Sequence, residues 1–346
     1  MSLLNKLKKN TTIESASMLS KSRFFNEADL IRTGVPMVDV ALSGSLVGGL
    51  TPGLTVFAGP TKHFKTSFAL LMAAAYQRKY PEGAILFYDS EFGSPQAYFD
   101  TFGIDKDRVL HTPVTDIEQL NHDIMTQLHA IENKERVMIV VDSLGNLASK
   151  KEVDDTLEGK NVADMTRAKR IKSLFRMVTP HLKIKDIPML VVNHTYKEIG
   201  LYPKDIVSGG TGVMYSADTV WIIGRQQEKD GTELTGYHFV INIEKSRFVR
   251  EKSKIPITVS FSGGIQKYSG LIDIAVEAEF VTKPSPGWYQ KGKKDAKVRF
   301  DETQTEEFWK DILNDPAFQE FVRKKYEVAY GSILPTNVGT VVETES

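Results

Sequence analysis

The sequence predicts an α/β fold with a mostly parallel central sheet and helices on both faces. Short apolar runs of strand length recur between residues 34 and 244, and stretches with helical spacing separate them. Continuous apolar runs of this kind indicate strands that are covered on both faces. The predicted strands are 54–58, 84–88, 136–141, 188–192, 219–223 and 237–244, and the predicted helices are 66–80, 116–132, 166–183 and about 306–330.

Changes of pattern divide the chain into three predicted regions. Residues 1–30 are polar and predict a helical arm, residues 31–270 hold the alternation of strands and helices, and residues 271–346 form a small C-terminal domain. The last region contains the turn-rich segment KPSPGWY and the basic stretch KGKKDAKVR, which do not continue the strand–helix pattern.

Composition excludes several classes of function. The 346 residues include 44 Lys and Arg and 44 Asp and Glu, so any contact with nucleic acid must use local basic patches. The chain has no cysteine, which excludes disulfides, cysteine-ligated zinc and thiol catalysis. The N-terminus lacks the apolar core of a signal peptide, and no apolar run reaches the roughly 20 residues of a membrane helix. We therefore expect a cytoplasmic protein.

A glycine-initiated loop follows the first predicted strand and precedes the first predicted helix of the core. That is the context of a phosphate-binding loop, in which Lys65 would reach the β- and γ-phosphates of a nucleotide and the Thr66 hydroxyl would hold Mg²⁺. Phe64 stands where the motif has its second glycine. The alternative is an ordinary strand–turn–helix with an incidental Lys-Thr pair. The loop residues are Gly59, Pro60, Thr61, Lys62, His63, Phe64, Lys65, Thr66 and Ser67.

Carboxylates follow two other predicted strands. Asp142 comes directly after the strand 136–141, where an aspartate paired with a phosphate loop holds the magnesium ion. The alternative is a turn-capping aspartate. Glu91, in the segment YDSEF, follows the strand 84–88 at the same sheet edge and could activate water for attack on the γ-phosphate. The alternative is a solvated charge.

Six motifs in a fixed order carry a family resemblance. They are Gly59–Ser67, YDSEF (88–92), VVDSLGNLASKKE (140–152), VVNHTY (191–196), SGGTG (208–212) and EKSR (244–247). This set resembles the RecA/Rad51 recombinases and is most similar to the UvsX-type recombinases of T4-like phages. Those phage enzymes also carry phenylalanine at the position of Phe64. The resemblance covers about residues 20–330 and implies a RecA-like ATPase core preceded by an oligomerisation arm.

The resemblance implies a role for each matching residue of the nucleotide site. Lys65 matches the lysine that binds phosphate, Thr66 and Asp142 match the groups that hold Mg²⁺, and Glu91 matches the catalytic glutamate. Tyr98 matches the aromatic residue that stacks on adenine, although a tyrosine at this spacing also fits an aromatic residue packed in the core.

Two further motifs add candidate catalytic residues by resemblance. Asn193 and His194 end the strand that carries the γ-phosphate sensor, and cellular bacterial enzymes have glutamine where this chain has His194. No neighbouring residue has metal-ligand spacing to His194, which argues against a metal site. Lys245 and Arg247 match a basic pair that reaches a neighbouring subunit's ATP and acts like an arginine finger. The alternative is a solvated basic strand end, since Arg250, Lys252 and Lys254 follow.

Candidate DNA contacts lie on one helix and in two loops. Lys169, Lys172 and Arg176 share a face of the helix 166–183, which suits a phosphate backbone, although a solvated face is the alternative. The resemblance implies two DNA-binding loops at about 149–164 and 195–212, and the weak local pattern of both predicts mobile loops. The second loop contains the candidate contacts Ser208, Gly209, Gly210 and Thr211.

The implied function is an ATP-dependent recombinase that forms helical filaments on single-stranded DNA. Its implied partners are single- and double-stranded DNA, further copies of itself, a single-strand-binding protein and a loading mediator. One alternative is a ring helicase, but only about thirty residues precede the core, whereas such helicases add a substantial N-terminal domain. A second alternative is a non-catalytic DNA-binding mediator, which would not need the catalytic residues found here.

Overall fold

The computed structural model describes residues 2–13, 15–22, 30–132, 135–160, 166–198, 200, 203–292 and 295–328. The chain forms two compact units, residues 1–30 and residues 31–346. Parts of the predicted arm, of both predicted DNA loops and of the C-terminal region lie outside the described residues. Among the helices that the structure describes, none is both long and apolar enough to cross a membrane.

In the described part of the first unit, α1 (Leu3–Asn10) is the one α-helix, and Leu19–Lys21 forms a 3-10 turn. The Ser2 side chain caps this helix by accepting a hydrogen bond from the backbone N–H of Asn5 at 3.4 Å. A helix of this length is marginal by itself and gains most of its stability from packing. Its exposed apolar residues are Leu3, Leu4 and Leu7.

The second unit is built on a nine-stranded sheet. Its strands are β1 (Gly53–Ala58), β2 (Ala84–Asp89), β3 (Val109–Pro113), β4 (Val137–Asp142), β5 (Pro188–Asn193), β8 (Thr219–Asp230), β9 (Glu233–Ser246), β10 (Lys254–Ser260) and β11 (Gly264–Ile265). They lie in the order β11-β10-β9-β8-β1-β5-β4-β2-β3. The six strands from β8 to β3 are parallel, and β9 to β11 continue the sheet in antiparallel pairs.

Two small sheets lie outside the main sheet. One is the antiparallel pair β6 (Thr195–Lys197) and β7 (Asp205–Val207). The other consists of β12 (Thr282–Ser285), β13 (Trp288–Gln290) and β14 (Val298–Arg299).

The helices cover both faces of the main sheet. They are α2 (Pro36–Ser43), α3 (Lys65–Lys79), α4 (Gln96–Thr101), α5 (Ile117–Ala130), α6 (Lys150–Leu157), α7 (Thr166–Ile184), α8 (Thr211–Ser216), α9 (Leu271–Glu277), α10 (Glu306–Asn314) and α11 (Pro316–Tyr326). Alternate residues of β1 enter two separate cores: Phe57 packs with α3, whereas Val56 packs with α5 and α7. This arrangement confirms the predicted fold class.

The parallel strands bring their carboxyl ends into one row. The register pairs Ala58 of β1 with Asn193 of β5, and Asp89 of β2 with Asp142 of β4. We call this row the carboxyl edge. Because β1, β4 and β5 are buried along their whole length, their ends are fixed by the core. The backbone that carries the side chains of the carboxyl edge is therefore held rigidly by the core.

Several predicted elements differ from the structure. The helix predicted at about 306–330 is two helices, because Asp315 and Pro316 end α10 and start α11, and residues 329–330 lie outside the described part. Although the local pattern of both predicted DNA loops is weak, their described residues contain regular structure. The first contains α6, whose start is fixed by a capping box between Ser149 and Glu152. The second contains the hairpin of β6 and β7.

Candidate active site

The predicted phosphate loop connects β1 to α3 at the carboxyl edge. Lys65 is the first residue of α3 and is only 6% exposed. Its ammonium donates a hydrogen bond to the backbone carbonyl of Pro60 at 2.8 Å, so the loop curves around this charge. Burial lowers the pKa of Lys65, and the nearby carboxylates of Glu91 and Asp142 oppose that shift. The cation therefore lies inside the loop, facing two acids.

Phe64 adopts the backbone conformation that a glycine would take in this loop. Its φ is +61° and that of Lys62 is +64°, both in the left-handed region, which costs a residue with a Cβ about 1–2 kcal/mol. The Phe64 ring stacks on Phe239 with centroids 4.9 Å apart. The loop thus keeps the expected geometry without its second glycine, and aromatic packing offsets the strain.

Thr66 and Asp142 meet at the end of β4. The Thr66 hydroxyl donates to Asp142 Oδ2 at 2.7 Å. Asp142 is 4% exposed, and its other oxygen, Oδ1, is buried without a hydrogen-bond partner among the described residues. Burial raises the pKa of Asp142 to about 6. A buried carboxylate oxygen without a partner, next to a hydroxyl, has the chemistry that a hard divalent cation requires.

Glu91, Ser143 and His194 form a hydrogen-bonded group beside the phosphate loop. Glu91 Oε1 accepts from the Ser143 hydroxyl at 2.5 Å and lies 2.9 Å from His194 Nε2. The hydrogen bond from His194 lowers the pKa of Glu91; burial opposes this shift, and Ser143 adds to it. The Glu91 side chain is 31% exposed. The result is an ionised carboxylate of fixed orientation that water can reach.

Asn193 connects this group to the second predicted DNA loop. Its side-chain amide is fully buried and donates to the carbonyl of Ser208 at 2.8 Å. The backbone N–H of Ser208 in turn donates to the carbonyl of His194 at 2.9 Å. The chain of contacts therefore runs from Glu91 through His194 to Ser208.

Tyr98 lies next to the first turn of α3. Its hydroxyl hydrogen-bonds the Ser67 hydroxyl, and its half-buried ring packs edge-on against Phe102 with centroids 5.5 Å apart. The other loop residues are placed around Lys65, with Pro60 and Thr61 exposed and His63 half-buried. Tyr98 is therefore close to the loop and also contributes to packing.

The predicted basic stripe is on the exposed face of α7. Lys169, Lys172 and Arg176 are exposed, and within the described part of the chain none of them has an ion-pair partner. Gly212, at the start of α8, packs on this helix so closely that a Cβ there would lie 2.7 Å from the Cβ of Lys172. The stripe and the glycine-rich segment 208–212 thus form one continuous surface.

The fold itself explains glycine at positions 209 and 210, in addition to the predicted close approach of this loop to DNA. Both residues have a left-handed φ, +92° and +74°, and a Cβ on Gly209 would lie 3.0 Å from Ile171 of α7. These glycines let the second loop lie directly on the helix.

The other four Lys and Arg residues of the 166–185 segment have partners within the fold. Arg167 donates to three backbone carbonyls of 144–147, and burial lowers its pKa. Arg170 pairs with Glu118 at 3.0 Å. Lys183 pairs with Asp218 at 2.9 Å, and Lys185 donates to the backbone carbonyls of Leu128 and Ile131. Among the Lys and Arg residues of this segment, and counting only described residues as partners, Lys169, Lys172 and Arg176 remain available to an outside partner.

Lys245 and Arg247 lie at the opposite edge of the sheet from the phosphate loop. The register aligns Ser246 with Thr219, and Thr219 with Thr55, so about 13 Å of β1 separates the pair from Gly59. Lys245 donates to the carbonyl of Met214 at 2.6 Å, and burial lowers its pKa. Arg247 Nε lies 2.6 Å from Asp218 Oδ1. The structure therefore does not bring this pair to its own subunit's phosphate loop.

Comparison with known proteins gives the family. Residues 2–266 match the model of the RecA N-terminal domain, which covers more than half of the chain. The chain belongs to the RecA family. Residues 268–322 match a second model, described as the C-terminal domain of the bacteriophage T4 recombination and repair protein.

Individual relatives of this RecA-family chain come from phage and bacteria. The recombination and repair protein of Enterobacteria phage T4 is 48% identical over 336 residues, which cover 94% of this chain and 86% of the T4 protein. The RecA protein of Clavibacter michiganensis is 25% identical over 321 residues, covering 89% of this chain and 82% of that protein.

Asp89 is a site residue that sequence reasoning missed. Its Oδ1 accepts the backbone N–H groups of Glu91 at 3.0 Å and Phe92 at 2.8 Å, and its Oδ2 lies 3.1 Å from His111 Nε2. Asp89 therefore fixes the turn that carries Glu91. An aspartate two residues before the glutamate is the sequence signal of such a turn. Ser143, which donates to Glu91, was also missed.

Proposed function

We propose that this RecA-family chain is an ATP-dependent recombinase that assembles into helical filaments on single-stranded DNA and exchanges homologous strands. The observation that carries the proposal is the connected set of contacts at the carboxyl edge. The phosphate loop, the Asp142 carboxylate suited to Mg²⁺ and the ionised Glu91 meet there. Asn193 links them to the segment 208–212 on the basic face of α7. ATP chemistry and DNA contact thus share one rigid sheet edge.

ATP binding uses groups that the loop already positions. The backbone N–H groups at the start of α3 and the ammonium of Lys65 face the space in which the phosphates would lie. Lys65 would exchange its hydrogen bond with the Pro60 carbonyl for the β- and γ-phosphate oxygens. Tyr98 beside Ser67 supplies an aromatic ring for the adenine.

Thr66 and Asp142 would hold Mg²⁺. When bound, the ion neutralises the phosphate charge that develops during transfer. Among the described residues Oδ1 of Asp142 has no hydrogen-bond partner, and the pKa of this carboxyl is raised; both observations fit the assignment, because a cation relieves an uncompensated buried carboxylate. No group of three or more acidic or histidine side chains forms a metal site in the described ranges, so the remaining ligands would be phosphate oxygens and water.

Glu91 would act as the general base. It is ionised because its pKa is lowered, and Ser143 and His194 fix the direction of its carboxylate. Glu91 takes a proton from water as the water oxygen bonds to the γ-phosphorus, and the bond from that phosphorus to the β–γ bridging oxygen breaks. ADP and phosphate leave. His194 is close enough to Glu91 to respond when the γ-phosphate is present or has been released.

The DNA surface would combine the α7 stripe with the segment 208–212. Cations at positions 169, 172 and 176 neutralise backbone phosphates, and the glycine-rich segment brings main-chain N–H groups close to the strand. The first predicted loop, which contains α6, would contribute at the same edge. Lys245 and Arg247 would complete the ATP site of a neighbouring subunit, which fits their position at the far edge of the sheet.

Charge reversal on the stripe is expected to weaken DNA binding without sequence preference. In the Lys172→Glu, Arg176→Glu protein the slope of log affinity against log salt should fall by roughly one unit for each DNA phosphate that is no longer neutralised. Binding of single-stranded DNA measured across a salt series checks this. Lys310→Glu, at an exposed lysine on α10, should change neither affinity nor slope. An unchanged slope in the double variant would assign the stripe to solvent or to a subunit interface.

Strand exchange between homologous DNAs tests the proposed function. The protein, ATP and Mg²⁺ are mixed with circular single-stranded DNA and a labelled linear duplex, and joint molecules are separated on a gel. A recombinase yields joint molecules only when the two sequences are homologous. Unwinding that does not depend on homology would favour the helicase alternative, and DNA binding without either product would favour the mediator.

A further inference from the structure

We propose that the hairpin formed by β8 and β9 positions the phosphate loop through two side chains, Arg225 and Phe239. We call these two residues the loop clamp. The inference rests on the proposed role of the loop in binding ATP. It assigns to the clamp the task that glycine performs in the usual phosphate-loop motif, which is to allow the left-handed turn before the helix.

The loop contains two residues that would not adopt their conformation unaided. Lys62 and Phe64 both have a left-handed φ although neither is glycine. Strained backbone of this kind persists only where surrounding contacts determine it. Here the β8–β9 hairpin contacts both residues, at the Phe64 ring and at the Lys62 carbonyl.

The first contact is aromatic. The Phe64 ring stacks on Phe239 with an interplanar angle of 23° and centroids 4.9 Å apart, and it meets Phe68 edge-on at 5.3 Å. Phe68 in turn packs edge-on against Trp221 of β8. Because Phe239 is 3% exposed and part of the core, it is a fixed surface against which Phe64 is held.

The second contact is polar. Arg225 Nη1 donates to the backbone carbonyl of Lys62 at 3.0 Å, and the guanidinium lies over the ring of Tyr237 at 4.8 Å. The aromatic ring restricts the guanidinium, which leaves its N–H groups directed at the loop. Each left-handed residue of the loop therefore has its own partner on the hairpin.

The two clamp residues act as a unit because they lie directly opposite each other. Arg225 of β8 pairs with Phe239 of β9 in the sheet register. Pairing between β1 and β8 reaches Ala58 and Ile222, so β8 continues past the end of β1 and runs beside the loop. The approach is close, since a Cβ on Gly59 would lie 2.9 Å from the carbonyl oxygen of Ile223.

The clamp residues are positioning residues, because their contacts are with the Lys62 carbonyl and the Phe64 ring of the loop. Removing one lets the loop relax away from the binding conformation, so nucleotide affinity falls while the chemistry at Glu91 is unaffected once ATP is bound. A glycine at position 64 adopts the same turn without help. The loop would then need the clamp much less.

A double-mutant cycle on the full chain tests the clamp. Equilibrium binding of a fluorescent ATP analogue is measured for Phe239→Leu, Phe64→Gly and the combination of the two. We expect Phe239→Leu to weaken binding by about tenfold, the factor that loss of an aromatic pair allows. Phe64→Gly supplies the reference background, in which Phe239→Leu should cost less than about twofold.

Arg225→Ala is the second test, since Arg225 is exposed and its removal leaves the core intact. It should weaken nucleotide binding severalfold and leave kcat at saturating ATP unchanged. Gln226→Ala is the matched control, because the adjacent side chain points to the other face of the sheet. Equal losses for Phe239→Leu in both backgrounds, or parental binding by Arg225→Ala and Phe239→Leu, would overturn the clamp.

Lys65→Ala separates the clamp from the function on which it rests. If Lys65→Ala loses nucleotide binding while both clamp variants bind like the parent, the clamp is wrong and the phosphate loop stands. If Lys65→Ala also binds like the parent, the loop is not the nucleotide site and the proposed function fails with it.

Discussion

Glu91→Gln is expected to lower DNA-stimulated ATP hydrolysis by about 100-fold or more and to leave nucleotide binding intact. Glutamine has the shape of glutamate and its amide oxygen can still accept from Ser143 and His194, but it cannot take a proton from water. Phosphate release with saturating single-stranded DNA measures the loss. Binding of a fluorescent ATP analogue measures what is retained.

The control for this variant is Glu82→Gln. Glu82 is exposed and precedes β2 at the opposite end from Glu91, so hydrolysis should stay at the parental rate. If Glu91→Gln itself hydrolyses ATP at the parental rate, Glu91 is not the base. The base would then have to be sought among the other groups of the carboxyl edge.

The protein with Lys245→Ala and Arg247→Ala is expected to bind ATP and lose DNA-stimulated hydrolysis. Its own phosphate loop is intact, because both residues lie at the far edge of the sheet, about 13 Å of strand away. What it lacks is the positive charge that would meet the γ-phosphate of the neighbouring subunit. The buried carboxylate of Asp218 keeps Lys183 as its partner, so the fold should survive.

Mixing this protein with the Glu91→Gln protein tests whether the two halves of one ATP site come from different subunits. Each variant alone lacks one half of every site. In a mixed filament some interfaces combine an intact Glu91 with an intact Lys245 and Arg247, so part of the activity should return. A Lys252→Ala, Lys254→Ala protein, which removes two neighbouring cations, should hydrolyse ATP without any partner.

The mixing experiment would contradict the shared site if no activity returned. If the mixture is as inactive as its components and co-assembly is demonstrated by cross-linking, both halves of the site lie in one subunit. Lys245 and Arg247 would then be ordinary surface charges, held by the Met214 carbonyl and by Asp218.

The sequence predicted those parts of the fold and site that depend on local patterns. Buried parallel strands appear as continuous apolar runs, so β1, β2, β4 and β5 were located to within a residue or two. Polar residues that directly follow such strands must share one sheet edge. That rule places Asp142 and Glu91 together, and the phosphate-loop motif adds Lys65 at the same edge.

Elements with weaker local signals were missed. β3 is a largely exposed edge strand with the sequence VLHTP, and β10 contains Pro256 and alternates between buried and exposed residues. Neither has the continuous apolar run of the central strands. α6 was missed although its capping residues, Ser149 and Glu152, were present in the sequence.

Contacts between distant segments were beyond sequence reasoning for a different physical reason. In the sequence, Phe64 is a departure from the motif that nothing nearby explains. Its partner Phe239 is 175 positions away in the chain, and only the sheet register brings the two rings together. The same holds for Asn193 and Ser208, which a hairpin joins. A pattern of residue types cannot specify which side chain meets which across a fold.

Electron microscopy of the protein on single-stranded DNA with ATP and Mg²⁺ tests the recombinase assignment most directly. The connected phosphate and DNA surfaces, together with a basic pair that lies about 13 Å of strand away from its own subunit's phosphate loop, predict a continuous helical filament that covers the DNA. The Lys245→Ala, Arg247→Ala protein should form fewer or less regular filaments, since ATP would no longer bridge its subunits. Closed rings on the DNA would contradict the account in favour of a helicase, and isolated bound particles without filaments would contradict it in favour of a mediator.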